Sequence, residues 1–161
     1  MRSKINLATV IAAIFIAGAA MAPLANAAPT DDACSVLTPA QIGAAVNVPV
    51  GAGTYVTPTF KKMCTWNTTS SATPGVKYVT VMLEGLEAYH GGKVMGQMKN
   101  ITLTSVSGVG DEAYYLAVGP NVGLIVKKGA AAFKVAVYGS IPLGKKQALE
   151  KTLALQLVSK L

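Results

Sequence analysis

Three short apolar segments in the second half of the chain most restrict what it can fold into. Each is bounded by glycine-containing turns, and the segments are Glu112–Val118, Val122–Lys127 and Ala131–Tyr138. Connections as short as Gly119-Pro120-Asn121 and Lys128-Gly129 join antiparallel strands, because parallel strands need a crossover of a dozen residues or more. Apolar residues such as Leu124 and Ile125 occupy both faces, which predicts strands at a central position or under a helix.

The segment Thr38-Pro39-Ala40-Gln41 carries the signals of a helix start. Thr38 can cap the helix, Pro39 suits its first position and Gln41 completes a capping box. Asn47 and Pro49 end this helix after about two turns.

The other segments complete the pattern. Strands are predicted over Met63–Thr68, Val76–Leu83 and Ile101–Val106. Leu86–Lys99 predicts a helix weakened by three glycines. Pro142 starts a final helix that runs nearly to Leu161. Its leucines recur every four residues and its lysines are predicted to face solvent, the two sets being Leu149, Leu153, Leu157 and Leu161, and Lys145, Lys146, Lys151 and Lys160.

Together these elements predict an α+β fold. We expect an antiparallel sheet of about 5–7 strands, with a short N-terminal helix, a middle helix and a C-terminal amphipathic helix packed on it. The order is helix, about three strands, helix, about four strands, helix. This order is compatible with a duplicated unit of one helix followed by strands.

The first 27 residues have the three-part pattern of a secretory signal peptide. Arg2 and Lys4 precede an apolar stretch over Leu7–Ala22, and Ala25-Asn26-Ala27 offers a cleavage site. We expect cleavage after Ala27, which leaves residues 28–161 as a single secreted or periplasmic α+β domain. The apolar stretch is about 16 residues, short of the roughly 20 that span a membrane, so no stable span is expected after cleavage.

Two other fates of the leader remain as alternatives. The leader could be retained as an anchoring helix. The chain could instead be lipidated at Cys34, but the acidic residues Asp31 and Asp32 just before this cysteine disfavour that reaction.

The charge of the exported part is moderate. The whole chain carries +7, and without Arg2 and Lys4 there remain 12 lysines against 7 acidic residues, a net charge of +5. No arginine follows Arg2, so the bidentate recognition of phosphate and guanine that arginine provides is absent. We therefore expect no nucleic-acid partner and at most weak attraction to anionic envelope polymers.

Cys34 and Cys64 are the only cysteines. In an exported chain they predict one disulfide. The bond closes a loop of about 30 residues, worth roughly 3–4 kcal/mol on the chain-entropy model. A redox or nucleophilic thiol is the alternative, but there is no Cys-x-x-Cys spacing and no acid–base partner nearby.

Three motifs together resemble a known family. They are Cys34-Ser35-Val36-Leu37-Thr38 before a short helix, Cys64-Thr65-Trp66, and Gly108-Val109-Gly110-Asp111-Glu112-Ala113-Tyr114-Tyr115. The pattern covers most of residues 34–161. It is similar to that of small bacterial envelope proteins, many of them actinobacterial lipoproteins, whose domain has no assigned function. Many relatives carry a lipidated cysteine upstream, which this chain lacks, and the resemblance implies no catalytic residues.

The single histidine gives the strongest metal-like pattern, Glu84-x-x-Glu87-x-x-His90. Carboxylate-bridged metal sites need a second such motif on another helix, and none exists. We therefore expect a solvated helix face, no metal and no cofactor. A catalytic triad would also have to use His90, and no nucleophile motif accompanies it.

Polar aromatic residues and one turn are the remaining candidates for binding: Trp66, Tyr114, Tyr115, Tyr138 and Asp111. Trp66 is also expected to pack against the disulfide, and Asp111 to bind amides of its glycine turn.

The resulting hypothesis is a monomeric, non-enzymatic binding module of the cell envelope. Its partner would be an envelope protein, a glycan or a small ligand. The alternatives are an exported inhibitor of a lysozyme or protease, and a small envelope hydrolase that uses scattered Asp, Glu and Ser residues.

Overall fold

The computed structural model describes residues 31–70 and 75–161. The predicted signal peptide (1–27) lies outside these ranges, as do residues 71–74 between the predicted strands Met63–Thr68 and Val76–Leu83. The elements, in chain order, are α1 (Pro39–Val46), β1 (Thr54–Thr57), β2 (Phe60–Asn67), β3 (Val76–Glu84), α2 (Leu86–Met95), β4 (Ile101–Val106), β5 (Glu112–Val118), β6 (Asn121–Lys128), β7 (Ala131–Gly139) and α3 (Leu143–Val158). Within the described ranges, no helix is long and apolar enough to cross a membrane.

All seven strands form one antiparallel sheet in the order β1-β2-β3-β7-β6-β5-β4. The sequence prediction of an α+β fold with three helices is therefore confirmed. Strand β7 lies at the centre because it returns to pair with β3 after the β4–β7 meander. This central position explains why β6 and β7 are apolar on both faces.

The helices cover opposite faces of the sheet. Helices α1 and α3 enclose the larger core, which contains Trp66, Leu124 and Phe133. Helix α2 packs on the other face, where Tyr89 joins Tyr114 and Ile125 in a smaller cluster. Two separate apolar clusters thus hold the sheet, one on each side.

The start of α1 is the one that the sequence predicts. The Gln41 amide donates to Thr38 Oγ1 (3.2 Å) and the Thr38 amide donates to Gln41 Oε1 (3.0 Å), which forms the capping box. Asn47 ends the helix in the left-handed conformation, with φ of 56°.

Two predicted boundaries differ from the structure by three or four residues, more than the differences of at most one residue at the other predicted strand ends. Strand β2 begins at Phe60 rather than Met63, because Phe60 pairs with Thr57 across a tight hairpin. Helix α2 ends at Met95 rather than Lys99. Its last turn tightens there, with the Met98 amide donating to the Met95 carbonyl (2.9 Å).

The predicted disulfide between Cys34 and Cys64 is present, with the Cα atoms 5.0 Å apart. It ties the segment before α1 to β2, beside the fully buried Trp66. Gly53 lies so close that a Cβ there would approach the Cys64 sulfur to 2.6 Å. A disulfide of this kind is typical of an oxidising, extracytoplasmic location.

One predicted surface residue of α3 is buried. Lys146 is only 5% exposed, contrary to the expectation that the lysines of this helix face solvent. Its ammonium group donates to the Pro120 carbonyl (3.0 Å) in the β5–β6 turn. Helix α3 packs on β6 and β7, so this side of the helix contacts the β5–β6 turn instead of water. The Pro120 carbonyl of that turn accepts the hydrogen bond that water would otherwise accept from Lys146.

Glu150, one turn further along α3, is fully buried in the same region. Its Oε1 accepts a hydrogen bond from the Val137 amide (3.0 Å), beyond Leu124 and Val135, the last pair of the β6–β7 ladder. Burial raises the pKa of Glu150 to about 8, although the Val137 hydrogen bond and the positive charge of Lys146 oppose this shift. The Glu150 carboxyl group thus accepts the hydrogen bond that a residue of β6 would accept if the β6–β7 ladder continued to Val137.

We predict that Glu150 makes the fold less stable as the pH rises from about 4.5 to about 8. Unfolded Glu150 releases its proton near its ordinary pKa of 4.5, whereas the folded protein retains the proton to about pH 8. The folded state therefore binds the extra proton in this window, and the free energy of unfolding falls with increasing pH. Glu150→Gln should flatten this dependence, because an amide stays neutral and its oxygen can still accept from Val137.

The measurement is the melting temperature of both proteins at a series of pH values between 5 and 8. Glu87→Gln is the matched control, since Glu87 is exposed, and it should keep the wild-type slope. An unchanged slope in Glu150→Gln would contradict the prediction.

Candidate functional site

A cleft of about 450 Å³ lies between α2 and the strands β4 and β5, and we call it the α2 cleft. Its size falls within the range of small-molecule sites, and it combines an apolar floor with charged groups at the rim. The lining residues are Tyr89, Lys93, Leu103, Ser105, Val106, Asp111, Glu112, Ala113 and Tyr114.

Glycines of α2 bring the helix close to the sheet and so form one wall. A Cβ on Gly92 would collide with the Tyr114 hydroxyl, and a Cβ on Gly96 would collide with Leu103. The Tyr114 hydroxyl donates to the Tyr89 carbonyl (2.7 Å) in the space that Gly92 leaves. Two of the three glycines that weaken this helix locally, Gly92 and Gly96, are therefore also residues that permit its packing.

Glu112 organises the rim of the cleft. Its Oε2 accepts hydrogen bonds from Lys93 Nζ (2.7 Å) and the Tyr89 hydroxyl (3.2 Å), while its Oε1 accepts from Lys127 Nζ (3.3 Å). The Lys93 ammonium also lies 4.9 Å from the centre of the Tyr89 ring, within range of a cation–π contact. One carboxylate thus connects α2, β5 and β6.

The pKa values of the lining groups shift away from neutrality. The hydrogen bond from Lys93, followed by that from Lys127, lowers the pKa of Glu112 to about 2. The same carboxylate raises the pKa of Lys93 above its ordinary value. Burial raises the pKa of Tyr114 to about 12 and also raises that of Tyr89.

Asp111 binds a turn amide, but that of the β6–β7 turn rather than one of its own glycine turn, where the sequence predicts the contact. Its carboxylate accepts from the Gly129 amide (2.6 Å) and from Lys128 Nζ (3.2 Å), and these bonds lower its pKa. Gly110, with φ of 59°, brings the backbone so close to β6 that a Cβ would lie 2.5 Å from the Lys127 carbonyl oxygen. These contacts hold the turn at residues 108–110 against the β6–β7 turn beside the cleft.

The structure separates the binding candidates predicted from the sequence. Asp111 and Tyr114 both line the α2 cleft. Tyr115 points to the opposite face and donates to the Gln147 carbonyl (2.6 Å), while Trp66 is fully buried near the disulfide. Tyr138 stacks on Tyr78, with ring centroids 4.5 Å apart, outside the cleft lining.

Tyr89 and Lys93 are not among the candidates predicted from the sequence. Their spacing of four residues places both on one side of a helix, which was the available signal. Their partner Glu112 is on a strand 23 residues beyond Tyr89, so the contact between them depends on how the sheet is assembled.

The motif Glu84-x-x-Glu87-x-x-His90 spans two elements of the structure. Glu84 is the last residue of β3, so the three side chains do not share a helix. His90 is exposed and contacts the Tyr89 ring edge-on, at 5.4 Å between centroids. Within residues 31–70 and 75–161, no group of three or more His, Cys, Asp and Glu residues could hold a metal ion.

Comparisons of the chain with protein-family models, curated proteins and solved structures find no match. The resemblance to small envelope proteins therefore stays a prediction from the three sequence motifs.

We predict opposite effects for two neighbouring glycine substitutions in α2. Gly92→Ala should lower the free energy of unfolding by about 1–3 kcal/mol, because the added methyl group displaces the buried Tyr114 hydroxyl. Gly91→Ala should raise it by up to about 1 kcal/mol, because no atom lies within 4 Å of its Cβ position and alanine favours the helix. Urea denaturation of both variants gives the values, and equal stabilisation by both would contradict the proposed packing.

We also predict that Lys93 sets the titration of Glu112. Lys93→Met keeps the apolar stem and removes the ammonium group, so the pKa of Glu112 should rise from about 2 towards its ordinary value of 4.5. Carbon-detected NMR titration of the Glu112 carboxyl group measures this shift. Lys77→Met, at an exposed position of β3, should leave it unchanged, and an identical titration in Lys93→Met would refute the assignment.

Proposed function

We propose that this domain is a non-enzymatic binding module of the cell envelope, secreted or periplasmic, that binds a small amphipathic ligand in the α2 cleft. The observation that carries the proposal is the charge state of the cleft. All five of its titratable side chains have ordinary pKa values far from neutrality, and their surroundings move each pKa further from it: Lys93, Asp111, Glu112, Tyr89 and Tyr114.

Fixed charges favour recognition over proton transfer. A general acid or base works best with a pKa near the operating pH, whereas Glu112 stays ionised and Lys93 stays protonated. The tyrosines remain neutral phenols whose hydroxyl groups are already engaged, that of Tyr89 with Glu112 and that of Tyr114 with the Tyr89 carbonyl. The cleft is thus equipped to orient a ligand by pre-formed charges.

The lining also indicates the class of ligand. Tyr89, Leu103 and Tyr114 form an apolar floor that suits a short alkyl chain or a ring. At the rim, the lysines outnumber the carboxylates by one: Lys93, Lys127 and Lys128 surround Asp111 and Glu112. We therefore expect an apolar body with an anionic head group.

Three probes with the same apolar body separate the contributions of the floor and the rim. Octanoate, octylammonium and octyl glucoside are titrated, below their micellar concentrations, into the ¹⁵N-labelled, disulfide-bonded domain. We expect amide shifts centred on Tyr89, Leu103 and Tyr114, with octanoate binding most tightly. Absence of binding by all three probes, or tighter binding of octylammonium, would contradict the proposal.

Substitution of Lys93 tests the role of the rim. Lys93→Met should weaken octanoate binding about two- to fivefold, as expected for one partly exposed ion pair, and leave octyl glucoside binding unchanged. Lys77→Met is the charge-matched control and should bind octanoate like the wild type. Equal affinities for octanoate in all three proteins would refute the proposed contact.

A further inference from the structure

The β4 edge of the sheet is open and lacks the usual protection. Among the described residues the strand pairs only with β5, in a regular register from Ile101 opposite Val118 to Val106 opposite Ala113. Its sequence, Ile-Thr-Leu-Thr-Ser-Val, contains no charge and no proline. An edge strand of this kind presents unpaired backbone groups that another strand can use.

The outward-facing groups of β4 can be identified. The Ile101 amide donates to the Met98 carbonyl (3.3 Å), so it faces away from β5. Alternate residues of an antiparallel strand point the same way, and the backbone groups of Leu103 and Ser105 therefore also face outward. Within the described parts of the chain, no strand lies on this side of β4.

The opposite edge of the sheet is protected by comparison. Strand β1 has four residues, its register shifts between Tyr55 and Thr57, and Pro58 follows it directly. Short length, irregular register and proline all discourage pairing with another strand. Of the two edges of the sheet that the described residues form, the β4 edge thus combines length, regularity and free backbone groups, and the β1 edge does not.

We propose that two copies of this chain associate through β4, paired antiparallel about a two-fold axis at Thr104. In this register Leu103 of each copy lies opposite Ser105 of the other. Each such pair exchanges two hydrogen bonds, so every outward amide and carbonyl of Leu103 and Ser105 is used. A second copy is the occupant indicated because β4 is complementary to itself in this register and, having no charge, does not repel itself.

Apolar side chains beside β4 support the same interface. Val94 and Met98 are 65% and 60% exposed, and Met95 is 48% exposed. The contact of Gly96 with Leu103 places this end of α2 over β4. Because the two-fold axis runs perpendicular to the sheet, the α2 helices of both copies lie on the same face, and their apolar ends adjoin across the interface.

The association would also complete one wall of the α2 cleft. Leu103 and Ser105 line the cleft and lie on the open edge. A neighbouring β4 would therefore close the side of the cleft that the single copy leaves open. The pairing itself rests on backbone geometry and does not depend on the identity of the ligand.

Sedimentation velocity over micromolar to millimolar concentrations tests the proposal. Wild type should show a monomer–dimer equilibrium, and Thr104→Lys should raise the dissociation constant at least about tenfold, because two ammonium groups would face each other at the axis. Val56→Lys places the same charge at the protected β1 edge, where Val56 is 61% exposed, and should dimerise like the wild type. Both side chains are exposed, so equal melting temperatures establish that the variants fold.

A cysteine variant tests the register. Residues directly opposite in a non-hydrogen-bonded pair have Cβ atoms about 4.5–5.5 Å apart, so Thr104→Cys should form a covalent dimer on oxidation, whereas Val56→Cys should not. A wild type that stays monomeric throughout, a Thr104→Lys variant that still dimerises, or a Thr104→Cys variant that does not cross-link would overturn the proposal.

Discussion

The antiparallel pairing of β3 with β7 joins the two parts of this fold, and the rest of the structure depends on it. The ladder runs from Val76 opposite Gly139 to Glu84 opposite Ala132, across more than 60 residues of chain at one end and nearly 50 at the other. Every other strand pair joins neighbours in sequence. The single long-range ladder therefore fuses two hairpin arrays into one sheet and makes β7 its centre.

This pairing also determines where α2 and β4 lie. Since β7 returns to β3, the chain between them must leave the sheet after Glu84 and re-enter at its far edge. Helix α2 makes this crossing over one face and contacts β3, β6 and β7 on the way. The crossing therefore places the α2 cleft beside the open β4 edge. Leu103 lies on that edge and also lines the cleft.

The sequence predicted what depends on local chemistry. The capping box at Thr38, the bounds of β4 and β5, and the glycine turn that precedes β5 follow from short-range rules. The prediction was wrong where a residue distant in sequence determines the surroundings of a side chain. Lys146 follows the pattern of an exposed helix residue, yet Pro120 offers it a carbonyl. The rim of the cleft was missed for the same reason, because Lys93 meets Glu112 only after β5 has joined the sheet.

The two faces of the sheet contribute differently to the stability of the fold. The face under α1 and α3 contains the disulfide, the larger core and the buried Glu150, so a substitution there acts first on stability. The α2 face has a smaller apolar cluster, a helix held close by glycines and a rim of ion pairs that are partly open to solvent. Exposed ion pairs contribute little to stability, so the arrangement of Lys93 and Lys127 around Glu112 can change without loss of the fold. A surface with this freedom, on a scaffold stabilised from its other side, is what the proposed binding role requires.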